Sequence, residues 1–219
     1  MTSPLLASAL RHEPRTTPTS AVLLLHGLGS NADDLFGLAP ILAAALPDTV
    51  FISPNAPDPC DMAPMGYQWF SLREWSEAAM LQGIRRAATS LEGLINDVAS
   101  AYHLPPNRIA LLGFSQGSMM ALHVAPRLAS PLAGVVGFSG ALVGAGLLTE
   151  EIQSRPPVLL VHGEADPVVP FAAMAAAAEV LEALAVPVET LACPFLPHSI
   201  DEAGLQRSAT FLQKHLSPA

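Results

Sequence analysis

The chain has 219 residues, 51% of them hydrophobic and only 13% charged, so it is long enough for one α/β domain and must bury much of itself. Pro, Gly and polar residues interrupt every apolar run short of the ~18 residues that a bilayer helix needs, which argues against stable membrane insertion. The net charge is −9 and the ten Lys and Arg are spread thinly, Arg85-Arg86 reading as a solvated helix face, which argues against a nucleic-acid partner.

The first 20 residues carry charges of both signs and three prolines, without the basic start, apolar middle and small-residue end of a secretory leader. A soluble cytoplasmic protein is the expectation. In chain order, a weak strand is expected near residues 5–10, a strand over 21–25 and a helix over 31–46 that opens on a polar cap and two aspartates. A strand over 49–53 precedes a long loop, and a helix over 75–102 carries Ile84, Ala87, Ala88, Leu91, Leu94, Ile95 and Val98 at helical spacing before Pro105-Pro106 stops it. Then come a strand over 109–112, a helix from 116 that Pro126 ends near Ala125, and strands over 132–138 and 158–162. A helix over 171–184, a strand over 188–192 and a helix over 199–216 close the chain. The strands are apolar nearly throughout, as parallel strands covered on both faces are. Their alternation with helices predicts an α/β fold, a doubly wound and mainly parallel sheet flanked by helices, as a single domain over residues 1–219 with 1–19 as a peripheral strand or arm. Cys60 and Cys193 make neither a disulfide framework nor a metal pattern and are expected as buried or half-buried free thiols.

Gly113-Phe114-Ser115-Gln116-Gly117 follows the apolar run Ile109-Ala110-Leu111-Leu112 and precedes a helix-compatible stretch, the context that a G-x-S-x-G nucleophile elbow requires. A serine hydroxyl is a weak nucleophile until a base takes its proton and a third group orients that base. In elbow hydrolases the partners follow in the order serine, acid, histidine. Four histidines follow Ser115. His123 falls on the helix after the elbow, His162 has only Glu150 and Glu151 between it and the serine, and His215 sits near the end of an amphipathic helix with a surface role expected. His198 lies in the turn Pro194-Phe195-Leu196-Pro197-His198-Ser199, between a strand and the last helix, where a loop can carry it over the sheet edge. The acid is Asp166, just beyond the strand 158–162 and held between Gly163 and Pro167, with Glu164 as the runner-up expected to point outward. Ester hydrolysis also needs donors for the oxyanion. The backbone N–H of Gln116 supplies one, and the glycine-flanked Leu28 of Leu25-His26-Gly27-Leu28-Gly29-Ser30 the other, with His26 bracing that loop.

The same loop satisfies G-x-G-x-x-A through Gly27, Gly29 and Ala32, the context of a dinucleotide-binding oxidoreductase. That reading wants an acid at the end of the second strand, and the sequence there is Phe51-Ile52-Ser53-Pro54-Asn55. Asp33 and Asp34 would also oppose a bound pyrophosphate. A second alternative keeps the fold as a non-catalytic ligand-binding protein, although all three triad positions are chemically intact.

Together Leu25-His26-Gly27-Leu28-Gly29, Pro54-Asn55-Ala56-Pro57, Trp69-Phe70, the elbow, His162-Gly163-Glu164-Ala165-Asp166-Pro167-Val168-Val169-Pro170 and His198 resemble the carboxylesterase/phospholipase family of α/β-hydrolases, which includes the acyl-protein thioesterases. The resemblance implies an α/β-hydrolase fold, the triad Ser115, Asp166 and His198, oxyanion donors at Leu28 and Gln116, and no cofactor or metal. Ser30 and Ser71 stand where the family usually has Asp, affecting loop hydrogen bonds, and Pro197 stands where it usually has Gly, stiffening the histidine loop. Only residues 139–157 separate two late strands, too few for a separate cap domain, so loops roof the site. Met65, Trp69 and Phe70 in the long loop, Leu142 and Val143 opposite, and Phe195 beside the histidine are the candidate substrate contacts, with core packing the competing reading for Trp69 and Phe70. The expected substrate is a small-molecule or lipid ester, a thioester or lysophospholipid included, with a short to medium apolar acyl chain; a homodimer stays open.

Overall fold

The computed structural model describes residues 4–217. Its elements, in chain order, are α1 (Pro4–Ser8), β1 (Leu10–His12), β2 (Ser20–Leu25), α2 (Ala32–Phe36), α3 (Ala39–Ala43), β3 (Thr49–Ser53), β4 (Asp58–Pro59), β5 (Tyr67–Gln68), α4 (Glu77–Tyr102), β6 (Ile109–Phe114), α5 (Gln116–Val124), β7 (Gly134–Phe138), α6 (Ala145–Glu151), β8 (Val158–Gly163), α7 (Ala172–Ala183), β9 (Val188–Cys193) and α8 (Glu202–Leu216). Residues 5–10, expected as a strand, instead form most of α1 and the first residue of β1. Pro4 opens that helix at a position where its missing N–H costs nothing, and Leu6 is buried in the core. The single helix expected over 31–46 is two. Asn31 caps the first, accepting from the Asp33 N–H at 2.9 Å. Pro40 then falls in the first turn of the second, because inside a continuous helix its ring would clash with the carbonyl four residues back. The last helix starts at Glu202 rather than 199, capped by Asp201, which accepts from Gly204 at 2.8 Å. That leaves Ser199 and Ile200 in the loop with His198.

Seven strands form one sheet in the order β1-β3-β2-β6-β7-β8-β9, with β1 antiparallel to β3 and every other pairing parallel. Alternate residues of each central strand enter opposite cores. On β2, Ala21, Leu23 and Leu25 pack with α4, α5 and α7, while Val22 and Leu24 pack with α2, α3 and α8. This two-sided burial explains why the strands lack polar alternation. All nine residues of α5 are buried, so its amphipathic signal is weak.

The topology opens a crevice at one place. From β2 the chain runs outward to β3, then returns through α4 to β6 on the other side of β2. The loop after β2 leads to α2 on one face and the turn after β6 leads to α5 on the other, so the two connections diverge where Leu25 and Gly113 pair. Ligands bind at such switch points, beyond the carboxyl ends of parallel strands.

Candidate active site

Ser115 sits in that crevice at φ 53° and ψ −116°, a left-handed backbone that a non-glycine residue adopts only under constraint. The constraint is on both sides. Its N–H donates to the Phe138 carbonyl at 2.9 Å, and its own carbonyl accepts from Met119 N at 3.0 Å, tying β7 to the first turn of α5. Gly113 and Gly117 let that turn close. A Cβ on Gly113 would lie 2.4 Å from the Gly117 carbonyl, and one on Gly117 would lie 1.9 Å from the Leu25 carbonyl oxygen. The serine is 8% exposed, and its hydroxyl has no hydrogen-bond partner among the described residues.

Asp166 and His198 meet next to Phe114, the residue before Ser115. His198 Nδ1 donates to Asp166 Oδ2 at 2.7 Å, and Asp166 Oδ1 accepts from the N–H groups of Val168 (2.8 Å) and Val169 (2.9 Å). Burial pushes the carboxyl up, but the bonds from His198 and the two valine amides outweigh it, and the net effect holds Asp166 below the usual carboxylate range. With Nδ1–H engaged, a neutral His198 keeps the lone pair on Nε2. The loop carrying it folds back on the acid's turn, with Ala165 N donating to Leu196 O at 3.1 Å. Its ring packs on Phe114, centroids 4.7 Å apart, the residue immediately before Ser115. Glu164 is exposed. His162, passed over in sequence, is a buried neighbour of the acid, its Nε2 lying 3.0 Å from Val169 O and 3.4 Å from Asp166 Oδ2. His215, expected at the surface, packs on Phe211 at 4.6 Å. Its Nε2 is buried without a hydrogen-bond partner among the described residues.

The loop after β2 closes the other wall. A Cβ on Gly27 would lie 3.3 Å from Ser115 Cβ. The backbone N–H groups of Leu28 and Gln116 find no acceptor among the described residues. His26 holds this loop. The Ala56 N–H donates to its Nε2 at 2.9 Å, so Nδ1 carries the proton and donates to Gly27 O at 2.7 Å. Burial lowers the affinity of His26 for a second proton. Ser30 Oγ donates to Asp34 Oδ2 at 2.7 Å, and Ser71 Oγ accepts from Arg73 N at 3.3 Å, so both serines serve their own loops.

The candidate substrate contacts divide. Trp69 (1% exposed) and Phe70 (0%) are core residues and offer no surface to a ligand. Instead they anchor the loop. Trp69 Nε1 donates to His26 O at 3.0 Å, while the Gln116 side-chain amide accepts from Trp69 N at 2.9 Å and donates to Phe70 O at 2.7 Å. That clamping role of Gln116 has no local sequence signal, because its partners lie over 40 residues away. Val143 is buried in the same core, and Leu142 is half-buried against it. Met65 and Phe195 are 80% and 92% exposed. Cys60 and Cys193 are free thiols; burial pushes Cys193 up to about 11. Among the described residues no helix is long and apolar enough to cross a membrane.

Comparison with known protein families matches residues 9–216 to the family described as phospholipase/carboxylesterase. An acyl-protein thioesterase 1 of Gibberella zeae is 28% identical over 220 residues, 91% of this chain and 92% of that protein. A probable carboxylesterase of Oryza sativa subsp. japonica is 30% identical over 225 residues, 98% and 82% of the two chains. Among solved structures, esterase PE8 superposes with a TM-score of 0.91 at 37% identity, covering 95% of this chain and 99% of its own. The sheet, its flanking helices and the short β7–β8 connection, which holds only α6, are those of an α/β-hydrolase fold without a separate cap.

Proposed function

Because the chain belongs to the phospholipase/carboxylesterase family of α/β-hydrolases, we propose that it cleaves carboxylic esters and thioesters with short to medium apolar acyl chains through an acyl-serine intermediate on Ser115. The observation that carries this reading is the 2.7 Å bond from His198 to Asp166, made on the ring that packs against Phe114 at the base of the strained serine turn.

In this mechanism His198 Nε2 takes the Ser115 proton as Oγ attacks the carbonyl carbon. Negative charge moves to the carbonyl oxygen, where the Leu28 and Gln116 N–H groups receive it; one such donor is typically worth about 10²–10³ in rate. Asp166 stays ionised and steadies the imidazolium. The tetrahedral adduct collapses, His198 gives its proton to the departing alcohol or thiol, and the acyl group stays on Oγ. Water, deprotonated by the same imidazole, then releases the acid and restores the serine. The proton count closes over the two halves with this chain's own residues.

A fluorophosphonate probe tests the assignment. Wild type should label and hydrolyse p-nitrophenyl esters, and Ser115→Ala should lose the label and at least about 10⁴-fold in kcat. Labelling that survives in Ser115→Ala would place the nucleophile elsewhere. Failure of wild type to label while it binds the esters would favour the ligand-binding reading.

A further inference from the structure

The imidazole that protonates the leaving group must face it, so the departing alcohol or thiol occupies space that His198 walls. His198 walls a cavity of about 300 Å³ together with Asp34, Leu35, Leu38, Phe114 and Ile200, between α2 and the loop leading to α8. Its lining sets the apolar side chains of Leu35, Leu38, Phe114 and Ile200 among the polar Asp34, His198 and Ser199, and among the described residues no lysine or arginine lines it. Asp34 is its only carboxylate. Ser30 donates to Oδ2 at 2.7 Å, and Oδ1 has no hydrogen-bond partner among the described residues.

We infer that this cavity is the leaving-group subsite and that Asp34 makes it selective for cationic alcohols or thiols, such as an N-methylated amino alcohol, over neutral or anionic ones. The inference rests on the hydrolase reading above and adds the charge of the half of the substrate that departs. Leu35, Leu38, Phe114 and Ile200 offer apolar contact to the methyl groups of an ammonium head, while the exposed carboxylate of Asp34 meets its charge. An anionic leaving group meets the same carboxylate with the opposite sign and is disfavoured. Asp34 is a specificity-determining residue in this account, without a part in bond making.

Butyrylcholine and its uncharged isostere 3,3-dimethylbutyl butyrate separate charge from shape. In wild type at low salt the kcat/KM ratio of the choline ester to the isostere, each value first divided by that ester's own alkaline hydrolysis rate constant, should be about fourfold, the size of a water-screened contact between unit charges about 5 Å apart. Raising NaCl to about 0.5 M should shrink it, since exposed charges are then screened within a few ångströms. Asp34→Asn, which keeps an oxygen for Ser30, should bring the ratio to about one, and Asp34→Lys should take it below one. Each ratio is measured within one protein sample, so a loss of folded enzyme cancels. A wild-type ratio of one or less overturns the inference, as does a ratio that both variants leave unchanged or a wild type that hydrolyses neither ester. Fluorophosphonate labelling of Ser115 in the same preparation tells which idea has failed. A labelled enzyme without the charge preference retires only the subsite, whereas an unlabelled one retires the hydrolase reading beneath it.

Discussion

The floor of the crevice, from Gly113 to Gly117, meets its surroundings backbone to backbone, whereas the roof, residues 58–75, makes such an approach only around Gly66, against Gly29, and is otherwise held largely by side chains. In the floor the elbow glycines approach each other and the end of β2 more closely than any Cβ would allow. In the roof, Trp69 and Phe70 are pinned by the Gln116 amide and the indole bond to His26, and Arg73 bonds to Asp61 near the surface. One two-bond bridge, Gly29 N to Tyr67 O and Tyr67 N to Ser30 O, joins the roof to the Leu28 loop. The roof then leaves Met62, Met65 and Trp75 largely exposed. A region packed through backbone dictates residue identity position by position. One tied at a few side chains leaves the rest free to vary, which is where substrate preference is tuned on a fixed reaction centre.

The largest test of this contrast is Gly117→Ala. The added carbon would stand 1.9 Å from the Leu25 carbonyl oxygen and 2.8 Å from that of His26, so the central strand pair or α5 must move. The expected cost is at least about 3 kcal/mol, or roughly 10 °C in Tm for a chain of this size, measured by thermal unfolding. Gly93→Ala on α4, where nothing lies within 4 Å of the new carbon, should instead raise stability by up to about 1 kcal/mol. Equal Tm values for the two variants would show that the floor is not rigid.

A smaller effect comes from beneath the floor. His123 on α5 is buried, and burial first, then the neighbouring Arg127 cation, pushes its imidazole down to about 4 from an ordinary 6.5. Between those values the unfolded chain binds a proton that the folded one refuses, so stability is complete above pH 6.5 and is lost as the pH falls toward 4. The full span corresponds to roughly 3 kcal/mol. His26 and His215 are also held below their usual range and add to the slope. His123→Asn, which can still donate to the Val143 carbonyl as Nδ1 does at 3.2 Å, isolates the one contribution. Its Tm-against-pH curve should be flatter than wild type's over this window, and parallel curves would show that His123 charges freely in the fold.

The same contrast governs what could be read from the residues alone. The apolar runs of β2, β3, β6 and β8 were legible to within two residues at their ends, because burial on both faces leaves a continuous signal. The elbow was legible because strand, turn and helix follow one another within a few residues and Gly113 answers to Gly117 inside that turn, although Gly117 answers to Leu25 and His26, about 90 residues earlier. The pairing of Asp166 with His198 followed from chain order and the chemistry of a base that needs an orienting acid. The break between α2 and α3 was missed although Pro40 marks it, since the apolar periodicity of Leu35, Leu38 and Leu42 continues across the gap. Helix α6 was missed because Gly144 and Gly146 weaken its propensity and no side chain caps it. Trp69 and Phe70 stayed open between pocket and core because an aromatic pair in a loop looks the same whether it faces a ligand or the core. Only the remote Gln116 and His26 decide between the two, and such long-range partners leave no periodic trace. Asp34 belongs to the same class, since its place beside His198 depends on how α2 meets a loop 160 residues later.

The smallest expected effect is at the roof. Met65 stands two residues before Tyr67, whose backbone bridges the Leu28 loop, yet its side chain is four-fifths exposed. Met65→Ser therefore removes almost no buried surface and should shift stability by no more than about 0.5 kcal/mol, under about 2 °C in Tm. Its effect should lie in selectivity. Partial contact with a longer acyl chain covers only a few tens of Å² on the thioether, so the kcat/KM ratio of octanoate to acetate esters should fall about threefold. A drop in Tm as large as that of Gly117→Ala would mean that the roof depends on this side chain for its fold. An unchanged chain-length ratio would move the acyl path away from the hairpin, toward Leu142 on the opposite wall.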